Sequence, residues 1–298
     1  MSFDAAHCTL CPRQCSADRT NGVGACHCGT EIRIARAALH YWEEPCISGK
    51  DGSGAVFFAG CALGCVFCQN QEISRCAVGK VLTVGQLADA FLRLQEQNAN
   101  NINLVTGSHF TPWIVQALEL TKPKMHIPVV WNCGGYESLE ILHMLDGLVD
   151  IYLPDLKFYT AETAKAYANC PDYFSVASKA ILEMYRQVEA LSWNGDLLER
   201  GLMVRHLVLP GHVKNSKAVI KYLLETYKDQ ILISIMNQYT PMPQVAEDPL
   251  LSRKVTKREY EKVIDYALEL GMEDGFIQEG EAAKESFIPE FNLEGIGI

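Results

Sequence analysis

No run of this sequence is long and apolar enough to span a bilayer. Its first residues, MSFDAAHCTLCPRQC, lack the apolar core of a secretory signal. Positive charge is in deficit: 26 Lys and Arg stand against 36 Asp and Glu, a formal net charge of −10. That balance argues against a primary nucleic-acid partner, which would want a basic face, and leaves room only for a local basic groove. Low-complexity tracts and internal repeats are missing as well. These absences leave a globular chain, read as cytoplasmic, with neither membrane nor nucleic acid as partner.

Cysteine is abundant, with twelve in 298 residues. Cytoplasmic thiols stay reduced, so metal or cluster ligation is favoured over a disulfide framework, and oxygen sensitivity is expected. Cys61, Cys65 and Cys68 fall in AVFFAGCALGCVFCQNQ, directly after an apolar run. A four-iron cluster normally takes four cysteines, so a triad leaves one iron open to another ligand. The competing reading is a zinc knuckle that borrows its fourth ligand from elsewhere. A second group lies in CTLCPRQCSADRTNGVGACHC. Cys8, Cys11, Cys15 and Cys26 are the preferred four there, with Cys28 spare. Zinc, a rubredoxin-like iron and a second iron–sulfur cluster all remain open for that site, as does an electron-relay role. A structural staple suits so short a segment. Cys46, Cys76, Cys133 and Cys170 read as small buried hydrophobes.

From residue 55 onward, short apolar runs alternate with helix-period segments. The runs begin at Ala55, Ile102, Ile127, Val149, Leu202 and Ile231. They are too short for helices and too continuously apolar for one-sided strands, the pattern of a covered parallel sheet. Thr83 with Gln86, and Thr256 with Glu259, have capping-box spacing. Thr111 before Pro112 reads as an N-cap and first helical position. Six strand–helix units predict an α/β fold, a partial (β/α)6 TIM-like barrel open on one side, with a small Cys-rich N-terminal segment. The division is residues 1–50 as the metal-binding lead, 51–240 as the barrel, and 241–298 as a loop and helix extension. The closing FIPEFNLEGIGI is apolar enough to return over the barrel or to stay loose.

In such barrels the chemistry gathers at the C-terminal strand ends. Here those ends hold Gly60 and Cys61, Thr106 to His109, Asn132 to Gly135, Pro154 to Lys157, Pro210 to His212 and Asn237 to Tyr239. Asp155 and Lys157, two apart on one strand, point the same way. They suit the ammonium and carboxylate of an amino-acid-like ligand, or pair with each other. Arg205 inside an apolar strand needs a partner, and His206 beside it should face the opposite side. Asn132 with Gly134 and Gly135 suits either a ribose or a plain turn. His109 is a rim residue able to orient substrate or donate a proton, or a packing group.

The triad, the strand that leads into it and the later Asp-x-Lys resemble the radical S-adenosylmethionine (SAM) superfamily. The central two-thirds look like pyruvate formate-lyase activating enzymes. The CxLCPRxC lead and the EEPxISGxxGSG run-in look like their PflX-like branch. The resemblance implies a [4Fe–4S] cluster on Cys61, Cys65 and Cys68, with SAM on the open iron. It implies SAM contacts from Phe67, Thr106, Ser108, Asn132, Asp155, Lys157 and Arg205, and an electron donor such as flavodoxin or ferredoxin. It further implies reductive cleavage of SAM to a 5′-deoxyadenosyl radical and hydrogen abstraction from a glycine of a partner protein. Modification of a peptide or small molecule is the alternative, and a non-enzymatic electron-transfer or metal protein is the alternative of another class. The chain departs from the family at Thr106 to His109, where activating enzymes carry a Gly-Gly-Glu motif that grips the SAM amino group. The hydroxyls remain as acceptors there, and the expectation is that the charge complement is lost.

Overall fold

The computed structural model describes residues 3–273, 275–278 and 288–296. In chain order the elements are β1 (Ile32–His40), α1 (Pro45–Ser48), β2 (Ser53–Phe58), α2 (Gln71–Ser74), β3 (Lys80–Leu82), α3 (Val84–Glu96) and β4 (Ile102–Val105). Then come α4 (Thr111–Thr121), β5 (Val129–Cys133), α5 (Leu139–Leu145), β6 (Ile151–Pro154), α6 (Ala161–Ala168), α7 (Tyr173–Val188) and β7 (Ser192–Asn194). The chain continues through β8 (Leu197–Leu207), α8 (Val213–Tyr227), β9 (Leu232–Met236), α9 (Lys257–Glu269) and β10 (Phe276–Ile277).

The sheet runs β10-β9-β8-β6-β5-β4-β2-β1-β3, with β7 paired to β8. The strands read from the apolar runs, β2, β4, β5, β6, β8 and β9, lie side by side in sequence order and are parallel throughout. The sheet is open, as expected of a partial barrel, and ends at β3 on one side and β10 on the other. The lead contributes β1, antiparallel to β2 and β3, and the C-terminal extension contributes β10, parallel to β9. β1 escapes an apolar-run search because Arg33 and Arg36 interrupt IRIARAALH. A register shift between Ile34 and Arg36 accommodates them.

Strand alternation separates the two faces of the sheet. Val56, Leu104, Trp131, Tyr152 and Val204 join the main core with the helices. Burying each such side chain contributes about 1.5–3 kcal/mol. On the other face Val130, Ile151, Leu153, Met203 and Leu232 pack with Cys46 and Ile47 of α1. Farther along that face, toward the C-terminal strand ends, the residues turn polar: Asn132, Asp155 and Arg205.

Both capping boxes form, at Thr83–Gln86 and Thr256–Glu259. Thr111 is not the N-cap of α4. That place falls to Phe110, because a 3-10 turn over Ser108–Phe110 runs into the helix and Thr111 Oγ1 donates back to the Ser108 carbonyl (2.8 Å). Residues 288–296 return to the sheet. The Ala37 N–H donates to the Glu294 carbonyl (2.9 Å), Arg36 pairs with Glu294, and Phe291 meets Phe57 edge-on at 5.5 Å. The rest of the closing stretch, residues 287, 297 and 298, lies outside the described residues. Among the described residues no helix is long and apolar enough to cross a membrane.

Candidate metal centre and its cavity

The loop after β2 carries Cys61, Cys65 and Cys68, and all three line one cavity at the C-terminal ends of the parallel strands. Gly60 begins the loop at φ +87°, the left-handed region that favours glycine. A Cβ there would collide with the Cys28 sulfur and the Cys26 carbonyl. A turn closed by the Cys68 N–H on the Cys65 carbonyl (3.2 Å) sets the last two thiols. Burial, and then the other thiols of the triad, push Cys65 and Cys68 upward, while Lys157 pulls both the other way. Thiols so placed keep their protons until a metal replaces them. Three thiols on one loop around one cavity suit a [4Fe–4S] cluster, whose cysteines each bind a separate iron.

Asp155 and Lys157 point the same way and form an ion pair with each other. Asp155 also accepts from Arg205 Nε (3.0 Å). Burial alone would raise Asp155, but Lys157 and Arg205 hold it below the usual carboxylate range. Arg205 further meets Glu43 (3.1 Å), Glu44 (3.8 Å) and the Asn132 side-chain oxygen (2.7 Å). Asn132 donates in turn to Glu43 (3.2 Å), as does Asn103 (3.2 Å). Burial pushes Glu43 and Glu44 upward against the pull of Arg205. Arg205 thus holds a carboxylate-rich layer together beneath the cavity. His206, on the opposite side of β8, bonds to the Leu156 carbonyl (2.6 Å) and Ser216 (2.9 Å).

Phe67 is buried with its ring edge-on to Phe158, Tyr167 and Tyr239 at 6.1 to 6.3 Å. Thr106 sits on the cavity wall at φ +61°, a strained conformation for a β-branched residue. Ser108 Oγ donates to Glu137 Oε1 at 2.5 Å. No carboxylate lies within Thr106 to His109, but Glu137, from the turn after β5, reaches Ser108. His109 is 2% exposed, and its Nε2 is 2.8 Å from the Ala59 carbonyl. That carbonyl only accepts, so Nε2 carries the proton and Nδ1 is left without a partner. Burial depresses its pKa and keeps the ring neutral.

Cys8, Cys11, Cys15 and Cys26 line a second, small cavity, and His109 belongs to the walls of both. The Cys28 thiol, 3.3 Å from the Cys76 sulfur, also neighbours the Cys26 thiol. Arg19, 1% exposed, donates to the carbonyls of His109 (2.9 Å) and Gly29 (2.6 Å). Arg13 donates to the Ala62 carbonyl of the triad loop (2.8 Å). The sequence reading missed Glu43, Glu44 and Glu137. Their only signals were EEP before a predicted loop and a carboxylate four residues past a strand end.

Residues 47–164 match the 4Fe-4S single cluster domain family. An uncharacterized protein of Methanocaldococcus jannaschii is 28% identical over 269 residues, which cover 88% of this chain and 74% of that one. Among solved structures, SuiB of Streptococcus suis bound to S-adenosylmethionine is similar at a TM-score of 0.47 and 13% identity. The alignment covers 74% of this chain and 48% of SuiB, so the chain spans about half the length of that protein. The stretch similar to 4Fe-4S single cluster domains is the one that carries Cys61, Cys65, Cys68, Asp155 and Lys157.

Proposed function

We propose that this chain is a radical SAM enzyme, with a [4Fe–4S] cluster on Cys61, Cys65 and Cys68 and SAM in the adjoining cavity. The observation that carries the reading is three thiols on one wall of a cavity whose other walls hold buried charged groups. When bound, the cluster and SAM supply one-electron cleavage of a C–S bond and abstraction of a hydrogen atom. The chain's own residues bind, orient and exclude water. Lys157 stands beside Cys65 and offers a cation to the SAM carboxylate. Phe67 gives an apolar edge to the adenine. Thr106 and Ser108 present hydroxyls, and Asn132 and Arg205 fix the strand ends beneath.

The finer reading is an activase that acts on a glycine of a partner protein. Exposed Trp42, with Ile288 and Pro289, marks where the cavity meets solvent and where a peptide loop would enter. Electrons would come from a flavodoxin- or ferredoxin-type donor. Cys8, Cys11, Cys15 and Cys26 are proposed to hold the second, N-terminal metal. Support for that site is their shared cavity beside the triad loop, and metal analysis of a Cys11→Ser, Cys26→Ser double variant tests it.

Electron paramagnetic resonance of the reduced, anaerobically reconstituted protein tests the central reading. Addition of SAM should change the cluster signal. An unchanged signal from an intact cluster overturns SAM ligation at the open iron.

A further inference from the structure

Among the described residues that line the cavity, Arg205 meets Glu43 and Asp155, and Lys157 meets Asp155. Glu137 is a carboxylate on the same wall that no protein cation meets among the described residues. Its Oε1 accepts from Ser108 Oγ, and its Oε2 is buried with no N–H or O–H donor in hydrogen-bond geometry, the Cys133 thiol alone lying alongside the carboxyl group. The residue is 3% exposed. Leaving a buried carboxylate oxygen unpaired is costly unless the group takes up a proton or meets a cationic ligand.

Local backbone geometry fixes the carboxylate there. After β5 the chain turns at Gly135, φ +76°, where a Cβ would collide with the Asp155 carbonyl. The Glu137 N–H closes that turn on the Gly135 carbonyl (3.0 Å). Gly107, before Ser108, packs its Cα side against Ile114 and Trp131, with no space for a Cβ. The N-terminal segment braces both halves from behind. Arg19 holds the carbonyl of His109, next to Ser108. Ser138, next to Glu137, donates to the Leu10 carbonyl at 2.6 Å.

We infer that Glu137, oriented by Ser108, binds the α-ammonium of SAM and so supplies from the β5 turn the carboxylate missing after β4. Asp155, bound to two cations, is the poorer acceptor for that group. The inference rests on the SAM reading of the preceding subsection. Burial, opposed by Ser108 and the Cys133 thiol, pushes Glu137 up to about 7, and a bound ammonium would draw it back down.

The test is equilibrium binding to the reconstituted holoprotein of two ligands: SAM and its analogue lacking the α-amino group. Wild-type protein should prefer SAM at least tenfold, on the order of one charge-assisted hydrogen bond. Glu137→Gln should erase that preference while leaving analogue affinity unchanged, the signature of a direct pairwise term. If Glu137→Gln fails to fold or to hold iron, Ser108→Ala carries the test, with a partial loss confined to SAM. Wild-type binding of SAM with an undiminished preference in the variants overturns the role of Glu137 and leaves the SAM reading standing. No binding of SAM to wild-type protein overturns both.

Discussion

The Cys61 N–H donates to the Cys26 carbonyl at 3.2 Å. The first cysteine of the triad is therefore hydrogen-bonded to the last of the four proposed N-terminal ligands, and the two cysteine groups share a backbone junction. Gly60 sits at that junction with no room for a side chain. Gly60→Ala should combine left-handed strain with a steric clash and cost about 1–3 kcal/mol. It should also lower the iron retained after reconstitution. Thermal melting and iron content measured together check this, and an unchanged iron content would separate the two cysteine groups.

Arg205 is the cation of a carboxylate layer with Glu43, Glu44 and Asp155. Arg205→Met removes one partner and leaves buried acids uncompensated, a change that typically costs about 3–5 kcal/mol. Denaturant titration should show the loss. Adding Glu43→Gln should recover part of it, whereas strict additivity of the two changes would mean the groups do not interact.

His206 sets an acid limit on stability. Burial lowers its pKa to about 4 from the ordinary 6.5. Between those values the unfolded chain binds a proton that the folded chain does not. Stability therefore rises with pH across this window and is lost as pH falls through it. The loss should be about 2 kcal/mol between pH 6.5 and pH 5. Urea midpoints at the two pH values measure it, and His206→Asn should reduce the difference by that amount, His40 and His109 contributing to the remainder, while lowering stability overall.

How far the sequence spoke depended on the range of the signal. The six parallel strands were legible because both faces of such a sheet are covered, which writes continuous apolar runs. β1 was not, because Arg33 and Arg36 break its pattern, and Arg36 is neutralised by Glu294, 258 residues away. The common direction of Asp155 and Lys157 followed from strand periodicity. Their mutual pairing, and the further hold of Arg205 on Asp155, depended on how β6 and β8 align. Glu137 was the deepest omission: it reaches Ser108 across the β4–β5 pair, and nothing local links residues 29 apart.

One measurement bears most directly on the account. Anaerobically reconstituted protein is mixed with SAM and dithionite, and 5′-deoxyadenosine is quantified beside a Cys65→Ala control. The account expects 5′-deoxyadenosine from the wild-type chain and none from the variant, whose triad has lost a ligand. No product from wild-type protein with an intact cluster, or equal product from Cys65→Ala, would contradict it.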